Sequence, residues 1–162
     1  MERISNQSMI EKFKELLLDK NEELKELIDL KNPLFAEIIN NDDNNSIEEN
    51  YEKYKVLINN DNNNKNIIYY SLIYKAFKSQ DGINSSSLIT FGKLTIEFEK
   101  TKEMLEHGVN ALNIASKLGN STAFTLIKGI LKNKELMKIL APDSPQCQNL
   151  TSGRNDCLQS FY

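Results

Sequence analysis

Apolar residues along this chain recur mostly at three- and four-residue steps, the spacing that gathers side chains on one face of a helix. Ile10, Phe13, Leu17, Leu24, Leu27 and Ile28 form the first stripe, and Leu16 and Leu18 widen it, which predicts a helix buried against others. Ser8 with Glu11 has capping-box spacing at its start, and Pro33 ends it because proline lacks a backbone amide. Leu34 to Ile39 supplies one or two further turns. After the polar run Asn40 to Asn45, Ser46 with Glu49 repeats the capping-box spacing. The helix it opens places Tyr51, Tyr54, Leu57 and Ile58 inside and closes in a second polar run, Asn59 to Asn66.

The next two segments carry a mixed signal. Ile67 to Phe77 is dense in Ile and Tyr, residues that also suit a strand, but Ile68, Leu72 and Lys75/Ala76 keep a four-residue step, which predicts a helix. Asp81-Gly82 marks a turn. Beyond Ser85-Ser86-Ser87, the alternation of Leu94, Ile96 and Phe98 favours a strand. Leu88, Phe91, Leu94/Thr95, Phe98 and Leu105 hold a helical step over a longer window, so one long helix is predicted, with a small hairpin about Gly92 as the alternative. Lys134 to Leu140 makes a last short helix ending before Pro142, and residues 142–162 read as a flexible, disordered tail. The expected architecture is all-α: an irregular helical bundle or short helical-repeat domain of about six helices, a single domain over residues 1–141.

Gly108 to Lys132 has the most specific pattern. Leu112, Ala115, Leu118 or Ile114, then Ala123, Leu126, Ile127, Ile130 and Leu131 share a helical face, and Gly119-Asn120-Ser121 interrupts them. Gly and Asn accept the left-handed backbone that ends a helix, and Asn120 or Ser121 can cap the next one. The expected product is two short helices joined by a tight turn. Gly108, Leu112, Ile114, Ala115 and Gly119 stand where an ankyrin repeat carries its core residues, and Leu126 and Ile127 fall at its second-helix leucines. The stretch resembles a single degenerate ankyrin-type helix pair, with Asn110-Ala111 in place of Thr-Pro and Asn113 in place of the turn His. A plain helical hairpin within a bundle is the other reading. The resemblance implies that Val109, Asn110, Asn113 and Lys117 lie near a partner-binding surface.

Composition narrows the chemistry. With 20 Lys+Arg against 23 Asp+Glu the net charge is −3, and basic residues are spread along the chain, which argues against nucleic acid. No apolar run approaches the roughly 20 residues of a membrane span. Cys147 and Cys157 both fall in the tail, and a reducing compartment with free thiols is the default expectation. His107, the one histidine, is expected at a helix C-terminus and lacks companions for a metal site or a catalytic triad. Asp42 to Asn45 and Asp61 to Asn64 lack the glycine and bidentate Glu of a calcium loop. No catalytic, metal or cofactor constellation is expected, and the chain reads as a non-enzyme.

Two functional readings follow. One is a protein–protein interaction module; its Asn- and Lys-rich composition and ankyrin-like unit resemble effectors that host-associated bacteria deliver into eukaryotic cells without a classical signal peptide, the alternative location being the cytoplasm. The other is a self-associating structural protein, a homodimer through Ile10, Phe13, Leu17 and Leu24.

Overall fold

A computed structural model describes residues 32–40, 46–78 and 82–142. The first predicted helix, with the dimer seam of Ile10, Phe13, Leu17 and Leu24, and the tail with both cysteines lie outside the described residues. Those described form seven helices and no strand: α1 (Pro33–Asn40), α2 (Ile47–Asn60), α3 (Asn64–Lys78), α4 (Ser85–Phe98), α5 (Lys102–Lys117), α6 (Ser121–Lys132) and α7 (Lys134–Leu140). The all-α expectation holds.

Caps set most of the boundaries. The Ser46 hydroxyl accepts from the Glu49 amide at 3.1 Å and opens α2, as the capping-box spacing predicts. Asn84 does the same for α4 through the Ser87 amide at 3.0 Å. The polar run after α2 shrinks to a three-residue turn. Asp61 accepts from the Asn63 amide, the Asn64 side chain donates back to the Leu57 carbonyl, and α3 begins inside the run at Asn64. The long helix predicted after Ser85 is two helices. Thr101 accepts from the Met104 amide at 3.3 Å and caps α5, so Leu105 belongs to the second of them.

The core is organised around α4, which packs on α2, α3 and most extensively on α5. Every residue from Ser87 to Gly92, together with Leu94 and Thr95, is buried. A helix covered on all sides loses its amphipathic period, which is why this segment carried strand and helix signals together. The same holds for Ile68 to Ile73 of α3. Tyr69 meets Phe91 edge to face at 5.4 Å between ring centres, joining α3 to α4. A smaller cluster forms around Phe35 and Tyr70, where α1 lies on α3.

Where α4 meets α5, two glycines bring the backbones close. A Cβ on Gly108 would stand 2.0 Å from Thr95 Oγ1, and one on Gly92 would stand 2.6 Å from Leu112 Cγ and 3.1 Å from the Gly108 carbonyl. Gly108 therefore lies inside a continuous helix rather than at the turn that an ankyrin-type unit needs. His107, beside it, is likewise within α5 and not at a helix end. The second half of the pattern does form: Gly119 adopts φ 94°, α5 ends there, and Asn120 begins α6.

Candidate functional site

Surface polar groups divide the molecule into two parts. From α1 to α5 most cations meet anions, and Lys100 in the linker between α4 and α5 is exposed without an ion pair among the described residues. Lys53 pairs with Glu37 across α1 and α2, and Lys93 pairs with Glu48 across α2 and α4. Lys55 stands 3.4 Å from Glu97, and Lys102 stands 3.9 Å from Glu106 one turn along α5. Tyr51 sits between two of these cations, with Lys93 Nζ 4.3 Å and Lys55 Nζ 5.5 Å from its ring centre. Its phenol is pushed up, first by burial and then by Glu97. Lys55 is raised chiefly by Tyr51, and Lys53 by its hydrogen bond to Glu37. Exposed pairs of this kind contribute little each to stability, but they leave no lysine of α2 or α4 without a glutamate.

One cluster is less exposed. Glu99, just past the end of α4, accepts from the Tyr69 hydroxyl at 3.0 Å and pairs with Lys65 at 2.9 Å, all through Oε2. Burial raises the Tyr69 phenol well above the ordinary tyrosine range, and the Glu99 charge and hydrogen bond raise it further. A tyrosine held protonated is a donor and not a base, so the cluster fastens α3 to the end of α4. A shallow cleft lined by Asn50, Tyr54, Lys75, Ser86, Ser87 and Thr90 opens near the start of α4. Its enclosed part holds about one water molecule. Among the described residues, His, Cys, Asp and Glu side chains form no metal-binding group.

The other end of the molecule differs. At the α5–α6 corner Asn120 Oδ1 accepts from the amides of Thr122 and Ala123, which fixes the direction of α6. Ala123, Ile127, Ile130 and Leu131 then turn into the core. Ser121, Phe124, Thr125, Lys128 and Lys132 are left on the outward face. Phe124 is 42% exposed and Leu118, at the corner itself, 47%. Lys128 Nζ lies 4.5 Å from the Phe124 ring centre, as one-turn spacing allows. Asn133 joins α6 to α7 as a single residue, its side chain accepting from the Leu136 amide at 3.1 Å. Lys134 and Lys138 are exposed on α7. No salt bridge forms to Lys128, Lys132, Lys134 or Lys138 among the described residues, and Glu135 is the single carboxylate of α6 and α7.

The four residues expected at a recognition surface separate. Val109 and Asn110 are buried, because α5 begins at Lys102 and carries them in its interior turns. Asn113 is half-buried, and Lys117 is exposed beside Leu118. Asn110 is 5% exposed and its Oδ1 has no hydrogen-bond partner among the described residues. A buried acceptor in that condition is a cost to stability, not a group offered to a partner. Leu118 and Phe124 were missed as surface residues: Leu118 fits the apolar stripe as well as Ile114 does, yet it lies at the helix end, where the chain turns outward.

No helix among the described residues is long and apolar enough to cross a membrane. No protein-family model matches the chain, and no curated protein or solved structure matches it.

Proposed function

We propose that this protein is a protein–protein interaction module that engages its partner through the α5–α6 corner and the outward face of α6. The observation that carries this reading is the exposure of Leu118 and Phe124 on a helix pair whose other large apolar residues are mostly buried. Aromatic side chains at a polar-rimmed surface are the usual anchors of an interface. Here Lys117 and Lys128 supply the rim, and of the residues the ankyrin-like pattern pointed to, Lys117 alone is fully on this surface. The setting of an effector acting on a host protein is part of the proposal, supported by composition and by the capped α5–α6 turn.

The test is site-specific photo-crosslinking on the full chain, with the photoreactive residue at position 125 and a control at Glu52 on α2. One partner crosslinked from position 125, absent from the control and lost in Phe124→Ser with an unchanged circular dichroism spectrum, is the expected result. Equal crosslinking from both positions would overturn it. A self-associating role through Ile10, Phe13, Leu17 and Leu24 is supported by the width of that stripe, and sedimentation against the 18.6 kDa monomer mass separates the two readings. A dimer that Leu17→Pro abolishes and Phe124→Ser spares favours self-association.

A further inference from the structure

We infer that the partner of this surface presents an acidic protein segment, which the lysines of α6 and α7 receive. The inference rests on the proposed binding role of the α5–α6 corner and names the chemistry that fits it. Lys53, Lys55, Lys65, Lys93 and Lys102 each have a glutamate partner. Lys128, Lys132, Lys134 and Lys138 are all exposed, and none has one among the described residues. Two of the four have an internal reason to be where they are: Lys132 and Lys138 occupy the last turns of their helices, where the partial negative charge of the carbonyl ends favours a cation. Lys128 and Lys134 are not in last turns. The net charge of the chain is −3, so a run of helix with four cations and one carboxylate reverses the sign of the whole. Its field draws in an anionic partner and repels the basic ones that the rest of the surface would attract.

The arrangement sets the size of the occupant. Lys128 and Lys132 stand one turn apart on α6, and Lys134 and Lys138 one turn apart on α7, with Asn133 as the only residue between the helices. Each pair spans about 6 Å of helix axis and the stretch from Lys128 to Lys138 at most about 15 Å, so an extended segment of roughly five residues, at about 3.3 Å each, covers both. Phe124 lies beside the first pair through Lys128, which places an apolar contact next to that pair.

A protein is favoured over a bilayer because Ala123, Ile127, Ile130 and Leu131 of α6 are committed to the core. That leaves Phe124 and Leu118 exposed, less than the apolar helix face that interfacial insertion needs. Nucleic acid is disfavoured because the row is made of lysines alone, without the arginines or the further exposed aromatics that stack on bases.

Fluorescence anisotropy on the full chain tests this with a labelled peptide of about twelve residues, mostly Glu and Asp with one Leu, and a Lys-rich peptide of equal length as control. Saturable binding of the acidic peptide alone is expected, weakening about tenfold or more between low and moderately high salt as the charges are screened. Lys128→Glu/Lys132→Glu and Lys134→Glu/Lys138→Glu are each expected to weaken it about tenfold or more. The matching glutamine pairs give a smaller loss and keep the test sound if a charge reversal disturbs folding. Phe124→Ser lowers affinity and leaves the salt dependence unchanged. Absence of acidic-peptide binding, or binding that the lysine changes do not touch, overturns the inference. So does tighter lysine-dependent binding to phosphatidylserine vesicles or to a single-stranded RNA. If the acidic peptide fails while Phe124-dependent crosslinking survives, the corner still binds a partner and only its acidic character is wrong. If lysine-dependent peptide binding holds while that crosslinking fails, the acidic site stands without the anchoring role of the corner.

Discussion

Replacing Gly108 with alanine puts a methyl group where the structure has no room for one. The added Cβ would lie 2.0 Å from Thr95 Oγ1 and 3.1 Å from Thr95 Cβ. Thr95 is buried, and its hydroxyl donates to the Gly92 carbonyl at 2.9 Å. A β-branched side chain on a helix has few rotamers, so relief requires either turning the hydroxyl away from its acceptor or separating α4 from α5. Overpacking of this kind costs about 1–3 kcal/mol, and a buried hydroxyl left without its bond costs about 1–3 kcal/mol more. Against this, alanine gains about 1 kcal/mol over glycine in a helix interior. The net expectation for Gly108→Ala is a loss of roughly 1–5 kcal/mol, from the same terms. Urea unfolding followed by far-ultraviolet circular dichroism measures it as a fall in midpoint at constant slope. Two companions sharpen the reading. Gly129 on α6 would carry its Cβ with nothing within 4 Å, so Gly129→Ala should stabilise by roughly 0.5–1 kcal/mol. Thr95→Ala removes the atom at 2.0 Å, so the double variant Gly108→Ala/Thr95→Ala should recover much of the loss, a coupling of at least about 1 kcal/mol. A Gly108→Ala protein as stable as the parent, or more so, would refute the close approach of α4 and α5.

Tyr69→Phe keeps the edge contact with Phe91 and loses the bond to Glu99, costing about 1–1.5 kcal/mol at neutral pH. Because the folded-state pKa of Tyr69 lies above the ordinary 10.0, its contribution is whole below that pH and is lost as pH rises beyond it, so unfolding titrations above about pH 10 should show a shallower decline in the variant. Asn110→Leu replaces an unsatisfied buried acceptor with an apolar group of similar volume and should be neutral or stabilising by about 1–2 kcal/mol in urea unfolding; a clear loss would show that Asn110 has a partner. Asn133→Ala removes the cap of α7 and should cost about 0.5–2 kcal/mol, with amide exchange rising first in α7.

How far the sequence announced this fold depended on whether the deciding signal was local. Capping is local: Ser46, Asn120 and the bounds of α7 are where the residue pattern puts them. The break between α4 and α5 was hidden because the apolar step runs through it from Phe98 to Leu105 without a Gly or Pro, and its one marker is the Thr101 hydroxyl. Gly108 misled for a physical reason. Glycine serves both a turn and a close helix contact, and only the position of Thr95, on another helix, shows which. The ankyrin-like reading inherited that ambiguity, which is why Val109 and Asn110 were expected outside and lie inside.

The candidate surface was illegible for a related reason. In the sequence the lysines look evenly spread, and evenness suggests neutrality. Pairing is what breaks it: Lys93 reaches Glu48 and Lys55 reaches Glu97, partners from distant parts of the chain that folding alone brings together. Once those pairs form, the lysines of α2 and α4 are matched and those of α6 and α7 are left over among the described residues. α7 is 7 residues long, too short to persist by helix propensity, and is held by its cap and by the burial of Met137 and Leu140. The last two helices are thus attached to the core by one apolar face and two asparagine caps, without interhelical ion pairs among the described residues. The acidic partner we infer, spanning the lysines of both helices, would supply the electrostatic tie between them that the described residues do not, and its binding free energy would add to the stability of this end by mass action.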